Sequence, residues 1–576
     1  MLKKTSLFLG LIIVINIAMY AATLNYPLLW DDKKLIEKSI STAGLDKIPE
    51  AFKNDYLFGL SDKNEQVPYY RPINRAIIII EKYLFQDFTP GYKAVNLFFQ
   101  ILTSLLIFII ARFFYEKILP EKNIKILNIA SLFAALIFTT LPYNVDAVVF
   151  VTDLGDLMSI SSILLILIFF QKYLDKGRLF YLFPITIFTI TALGSKETSL
   201  AAAPLMILLA IFNINENTTI KRSLIPIIIT IILTIMFLYI RSSVLKDSPE
   251  IDLTGLIFRF PEDLARSIRW AIAPHPLSLY ENAPGTLFSI YWWAGVAVII
   301  TVTSLFFKYL KKMQLLLFLS ITWIILITPS LVSNIFTHLF SLRYLFAPAA
   351  SLSLAVGYMY IYTDNLLKKV IWLIPVTLLL LAIIRIDTWS SSDKLWSLQL
   401  ERHPNDLIAL MNFGAAQENR QNYGISKGAY LKGLSIAKKN NNDLFLFHFY
   451  NSMGNLEFRK YGNNELAIKY YFEALKFKNS SSVWFSIGTL NASTGQYEKA
   501  LYAYKQAEKT TINSYKLSTN IAGALGGLHR FDEALKYIDK AIELSRDAPL
   551  EHEQAVKKRE IILRFKTDFE NKSTNR

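Results

Sequence analysis

The sequence predicts an all-α protein in two parts: a polytopic membrane bundle of about eleven apolar helices, then a soluble α-solenoid of helix pairs. Three observations predict it. The chain of 576 residues is 53% hydrophobic and only 19% charged, whereas soluble chains are nearer to about 25% charged. Apolar runs of near-spanning length recur as far as Ile386 and then cease. Beyond them, small residues recur every 33 to 35 positions, the mark of stacked two-helix units.

Composition also excludes. There is no cysteine, so disulfides, thiolate metal sites and cysteine nucleophiles are out. In a multispan chain the net charge of +15 reflects loop lysines and anionic-lipid contact. No basic run interleaved with aromatics lies in a soluble segment, so nucleic acid is not a partner. The abundance of Ile, Lys and Asn fits an AT-rich bacterial genome.

The membrane domain covers residues 1–388. Its first span, 7–22, is an uncleaved helix, because Asn25-Tyr26-Pro27 offers no small-residue cleavage pattern. The others lie near 92–115, 124–141, 157–174, 179–193, 198–212, 224–240, 287–307, 315–332, 345–362 and 370–386. Loop charge tests this count. With a cytoplasmic N-terminus, alternate loops are rich in Lys and Arg: Arg112, Lys117, Lys122 and Lys125, then Lys172, Lys176 and Arg178, then Lys221 and Arg222, and so on to Lys368 and Lys369. An odd number of spans places everything after Ile386 in the periplasm or outside the cell, with the chain multi-pass in the cytoplasmic membrane.

Two non-cytoplasmic loops are long, 25–91 and 241–285. Within the first, 73–85 is apolar but too short to span, so it lies in the interface or re-enters. Within the second, the amphipathic spacing of 258–272 predicts a surface helix.

The repeats occupy 389–565. Gly454, Gly488 and Gly523 are 34 and 35 apart, and Ala467, Ala500 and Ala534 are 33 and 34 apart. This is the tetratricopeptide period, and a looser copy covers 406–438 with Gly414 and Ala429. About four such repeats form a short solenoid whose groove suits a protein or peptide partner. The polar tail, 566–576, is expected to be disordered.

Polar residues that can do chemistry cluster on the non-cytoplasmic side. Trp30 is followed by Asp31 and Asp32 just after the first span. A carboxylate pair there is either a solvated loop start or a catalytic acid or base facing a cavity. With it stand Tyr70, Arg71, Asp146, Asp153, Asp156, Lys196, Glu197, His338, Arg343 and Tyr344. Lys196 and Glu197 form a mutual ion pair, cap a short turn, or bind substrate. Arg343 snorkels to the interface or binds a phosphate. Asp153 and Asp156 cap a helix start in preference to holding a divalent ion. His275 and His338 lack metal-ligand spacing. No nucleotide loop or hydrolase elbow is present, so the energy for a reaction comes with its substrate.

The order of these elements carries a resemblance. The acidic pair after the first span, Tyr70-Arg71-Pro72, Leu141-Pro142 before Asp146-Ala147-Val148, Asp156-Leu157, Lys196-Glu197-Thr198, Arg343-Tyr344-Leu345 with Pro348, and then repeats resemble the transmembrane and tetratricopeptide repeat-containing proteins. These are related to the protein O-mannosyltransferases of the GT-C glycosyltransferase superfamily. The family's His-Pro is Leu141-Pro142 here, its Glu is Asp146, and its Arg before Asp-Leu is replaced around Leu154-Gly155. The resemblance implies a GT-C-like bundle and inverting transfer of a sugar from a polyprenyl-phosphate donor to an acceptor hydroxyl. It implies Asp31 or Asp32 as the base, Arg71, Lys196 and Arg343 at the donor phosphate, and no metal or other cofactor. Trp30, Tyr70, Asp146, Asp153, Asp156, Glu197 and Tyr344 would bind substrate or support the site.

Two other readings use the same features. One is a non-catalytic membrane anchor whose repeats assemble an envelope complex. The other is an envelope-polysaccharide polymerase or ligase.

Overall fold

The computed structural model describes residues 2–37, 44–56, 69–213, 219–245, 253–275, 277–282, 289–309, 314–334, 339–510, 514–546 and 549–574. Nearly all of them are helical. Contacts divide the chain into two compact units, Met1–Leu395 and Trp396–Arg576.

The first unit runs α1 (Leu2–Tyr20), the single turn α2 (Ile48–Ala51), α3 (Pro72–Phe85), α4 (Thr89–Ile118), α5 (Ile124–Thr140), α6 (Asn144–Val149), α7 (Leu154–Lys176), α8 (Leu182–Ser195) and α9 (Ala202–Phe212). It continues through α10 (Thr219–Val244), α11 (Leu253–Ile272), α12 (Ile290–Lys308), α13 (Leu315–Asn334), α14 (Phe346–Tyr362), α15 (Asn365–Ile371) and α16 (Leu373–Thr388). Seven helical stretches among the described residues are long and apolar enough to cross a membrane, and four further apolar helices are shorter. The four are Ile124–Thr140, Leu179–Ser195, Glu197–Phe212 and Leu315–Leu331. Together they cover the eleven apolar segments, seven of them at full spanning length among the described residues.

Several of these helices are apolar on their outer faces too. Leu224, Ile228, Ile235 and Tyr239 of α10 are exposed, a pattern compatible with lipid contact and unfavourable in water. Inside the bundle, short polar side chains join helices. Thr103 of α4 shares a 2.7 Å hydrogen bond with Ser161 of α7, and Thr139 of α5 donates to Ser104 of α4 at 3.1 Å. Such pairs substitute for the hydrophobic drive that lipid-facing helices lack.

Two short strands, β1 (Tyr280–Asn282) and β2 (Leu339–Ser341), pair antiparallel with Tyr280 opposite Ser341. This pair ties the end of one long loop to the segment that leads directly into Arg343.

The second unit follows α17 (Ser392–Arg402), inside which the division falls. Helices pair as α18 (Leu407–Asn419) with α19 (Tyr423–Lys439), α20 (Asp443–Leu456) with α21 (Asn464–Leu475), α22 (Ser481–Ser493) with α23 (Tyr497–Thr510), and α24 (Tyr515–Gly527) with α25 (Phe531–Leu544), closed by α26 (Pro549–Thr574). The repeat glycine has a packing reason. At Gly414, Gly454 and Gly488 a Cβ would run into the ring of Tyr430, Tyr471 or Tyr504 from the paired helix. The second repeat carries one residue more between its glycine and its alanine than the third. A π-turn, Glu457–Tyr461, absorbs it.

The tail departs from expectation. It is helical through Thr574, because Phe569 stacks on His529 at 4.8 Å and Lys566 pairs with Asp532 at 2.6 Å. Anchoring on the last repeat supplies order that its polar composition does not signal.

Gly488→Val is expected to lower solenoid stability by about 1–3 kcal/mol, since Tyr504 has to leave its seat. Thermal unfolding of the purified protein checks this, and an unchanged midpoint would show the ring contact to be dispensable.

Candidate functional site

The site is built around a break in the chain between α6 and α7. Val151–Asp153 forms one 3-10 turn there, entered through an extended Phe150. A buried break leaves peptide groups without helical partners. Two side chains supply them. The carboxylate of Asp32 accepts the N–H of Val151 at 3.0 Å and of Thr152 at 2.8 Å. The Asn96 amide donates to the carbonyls of Phe150 at 3.0 Å and Val148 at 3.3 Å.

Trp30, two residues before Asp32, sits at φ +51°, a strained conformation for a bulky residue and one that concentrates at functional sites. Its ring rests against Phe150 at 5.9 Å and Tyr280 at 6.3 Å.

Three ion pairs converge beside this break. Arg343 donates to Asp153 at 3.1 Å, and its guanidinium lies over Phe150. Lys196 pairs closely with Asp156. Arg71 binds Glu197 through two nitrogens, at 2.6 and 3.1 Å, and stacks over Tyr69 and Tyr56. Asp31 is part-exposed and within electrostatic reach of Arg343. Tyr344 lies within reach of Arg71 and Asp156. The arrangement draws on the loop after α1, α3, α7, the turn Glu197–Ala201 and the turn after β2.

Several expectations change. Lys196 and Glu197 do not pair with each other. They point to different partners because the extended backbone at Lys196 (φ −161°, ψ 156°) separates their side chains. Asp153 occupies the N-cap position of α7, but its carboxylate makes no cap bond and takes Arg343 instead. Arg343 pairs with Asp153. Asp146 joins none of the three pairs. It accepts Arg385 at 2.8 and 2.6 Å and the Trp389 indole N–H at 2.8 Å. Tyr70 donates to the Phe52 carbonyl at 2.9 Å and packs on Phe237, a bracing role. His338 lies outside the described residues.

Residues not singled out from the sequence also matter. Arg385 interrupts the last apolar run, and a charge there was the available signal. Asn96 belongs to the polar series Lys93, Asn96, Gln100 along one face of α4. Glu81 on α3 had no signal. It is buried, and neither carboxylate oxygen has a hydrogen-bond partner among the described residues.

Burial dominates the electrostatics outside the spans. It pushes the Glu81 carboxyl up to about 8, with the Asp32 charge adding to the effect. Burial also raises Asp32 above the ordinary carboxylate range, opposed by the two backbone N–H groups and by Lys93. Arg71 is held above its ordinary value by Glu197 against the effect of burial.

Chemically the cluster offers two part-exposed carboxylates, Asp31 and the Arg71-paired Glu197, beside a cation with unused capacity. Arg343 Nε and Asp153 Oδ2 are buried with no hydrogen-bond partner among the described residues. Among those residues no group of three His, Asp or Glu is placed to hold a metal ion.

Fold and repeats define the class: an all-α protein with tetratricopeptide-type repeats and a bundle of apolar helices. No protein-family model matches the chain, and no curated protein matches it. Solved structures similar to it include the MamA protein, at 19% identity, covering 27% of this chain and 80% of that one with TM-score 0.23. Another is YrrB, a TPR protein with an unusual peptide-binding site, at 19% identity, 29% and 81% coverage and TM-score 0.24. A third is a thermophilic TPR protein of Thermus thermophilus, at 19% identity, 31% and 93% coverage and TM-score 0.24. The repeat character itself rests on the chain's own helix pairs and their glycine–tyrosine contacts.

Glu81 sets a pH dependence. A carboxyl raised in the folded state contributes stability in full below the ordinary carboxylate pKa and loses it as pH rises through about 8. Wild type is therefore expected to unfold at a lower temperature at about pH 9 than at about pH 5. Glu81→Gln should flatten that difference in detergent-solubilised protein. An equally steep fall in the variant would remove Glu81 as its source.

Asp146→Ala leaves Arg385 buried without its carboxylate. A loss of about 3–5 kcal/mol is expected, read as a lowered unfolding temperature. A midpoint within error of wild type would show the pair to carry no stability.

Proposed function

We propose that the chain is a membrane glycosyltransferase of GT-C type. On this reading it moves a sugar from a polyprenyl-phosphate donor to an acceptor hydroxyl, on protein or peptide, at the non-cytoplasmic face of a bacterial cytoplasmic membrane. The observation that carries this is the convergence of Asp31, Arg343, Asp153, Asp156, Lys196, Glu197 and Arg71 from five separated segments. Ionisable groups gathered at the ends of apolar helices are costly unless they serve a substrate or a transport path.

Between the two acids of the first loop, geometry favours Asp31 as the base. Both oxygens of Asp32 are committed to backbone N–H groups and the residue is buried. Asp32 is therefore the positioning residue, holding the break that carries Phe150 and Asp153. Asp31 takes the acceptor hydroxyl's proton as the oxygen attacks the anomeric carbon. The bond from that carbon to the phosphate oxygen breaks with inversion, and the electron pair leaves on the lipid phosphate. Arg343, whose Nε has no partner among the described residues, is the first candidate to meet the developing charge. Lys196 and Arg71, each already paired to an acid, set the field around it. No metal or nucleotide enters the scheme.

The test supplies a panel of polyprenyl-phosphate sugars to protein in nanodiscs and follows release of lipid phosphate. Asp31→Asn is expected to lower transfer about 10²–10⁴-fold with donor binding retained. Asp32→Asn should lower transfer and unfolding temperature together. Full activity in Asp31→Asn would reject the assignment of the base. Absence of transfer from the widened panel, with the solenoid still capturing envelope proteins, would favour the scaffold.

A further inference from the structure

An aromatic side chain stands four residues before two of the repeat glycines, Tyr450 before Gly454 and Trp484 before Gly488. At Tyr450 the slot is closed: Phe477 lies flat against its ring at 6.1 Å and 10°. At Trp484 it is open. Phe472 of α21 and Tyr502 of α23 stand edge-on to the indole, at 6.1 Å and 85° and at 6.2 Å and 83°. Beside the three rings is a cavity of about 410 Å³. Phe472 is 47% exposed and Tyr502 61% exposed, although burying both rings against each other would be favourable. The indole N–H is already used, donating to Asn479 at 2.8 Å.

The polar rim decides what fits. Gln496, Glu498 and Lys499 border the cavity and are exposed. Among the described residues none of these side chains, nor the Tyr502 hydroxyl, has a partner within the chain. Glu498 only accepts hydrogen bonds, Lys499 only donates, and Gln496 does both. Their formal charges cancel, so neither an anion nor a cation is favoured. The volume falls in the range of small-molecule sites, about 300–1,000 Å³. A folded partner would need a far broader surface, about 800 Å² on each side. A pyranose matches all of this. The electron-rich ring faces attract its polarised C–H groups, and its equatorial hydroxyls both donate and accept.

We propose that the Trp484 cavity is a saccharide-binding subsite that takes one or two neutral sugar residues. The proposal does not rest on the transferase reading: a chain that transfers nothing can still hold a glycan here.

The test is saturation-transfer NMR on the full chain in nanodiscs, with cellobiose, maltose, a mannose disaccharide and diacetylchitobiose as probes and a proline-rich peptide as the competing occupant. Saturation is expected on the C–H protons of at least one disaccharide. Tyr502→Ala should weaken that binding about tenfold, whereas Tyr502→Phe should retain it. Tyr502 is mostly exposed, so the alanine variant keeps its fold, and an unchanged unfolding temperature verifies this. Three results would overturn the proposal: no transfer to any disaccharide, equal transfer in Tyr502→Ala, or binding of the peptide with none of the sugars.

Discussion

A backbone break buried in an apolar bundle must find hydrogen-bond partners without water, and this requirement organises the first unit. The break at 150–153 finds them in Asp32 and Asn96. Each comes from a different stretch, one from the loop after α1 and one from the N-terminal third of α4. The break in turn fixes Phe150 as a wall and Asp153 as the acid that holds Arg343. An unsatisfied buried peptide group costs about 1–3 kcal/mol, so Asp32 supports the fold. The strained backbone of Trp30 belongs to the same constraint, since the chain must turn sharply to bring both Asp31 and Asp32 to the break.

Electrostatics follows from that geometry. Each cation of the cluster has an acid, and each pair joins segments distant in sequence. Charges so paired are held in place without being fully neutralised for a ligand. Arg343 spends one nitrogen on Asp153 and keeps another. The Asp146–Arg385 pair is different in kind. Both members are buried, the contact is bidentate, and Trp389 completes it. Such a pair is strongly destabilising to break and contributes little beyond an apolar substitute. It reads as a lock on the last helix of the bundle; of the three neighbouring pairs, Lys196–Asp156 is likewise buried, while Arg71–Glu197 and Arg343–Asp153 are part-exposed.

The solenoid works by a local rule repeated. A glycine on one helix admits a tyrosine ring from the next, and the period holds because each repeat solves the same packing problem. Departures from the rule carry the interest. The π-turn absorbs a surplus residue. The Trp484 slot stays open where its counterpart at Tyr450 is filled.

Helical class, apolar segments, the repeats and the list of polar residues worth watching were all legible in the sequence, because each depends on local period or on a charge being out of place in an apolar run. Eleven apolar segments were read from hydropathy, and seven of them form helical stretches of full spanning length among the described residues, with the other four shorter. Partner choice was not legible. Arg71 meets Glu197 across 126 positions and Arg385 meets Asp146 across 239, and nothing local says which helix ends will meet. The separate fates of Asp31 and Asp32, identical in type and adjacent in sequence, were likewise decided by tertiary structure: only when the break at Val151 and Thr152 is brought beside the first loop does Asp32 acquire two backbone N–H donors and become buried while Asp31 stays part-exposed.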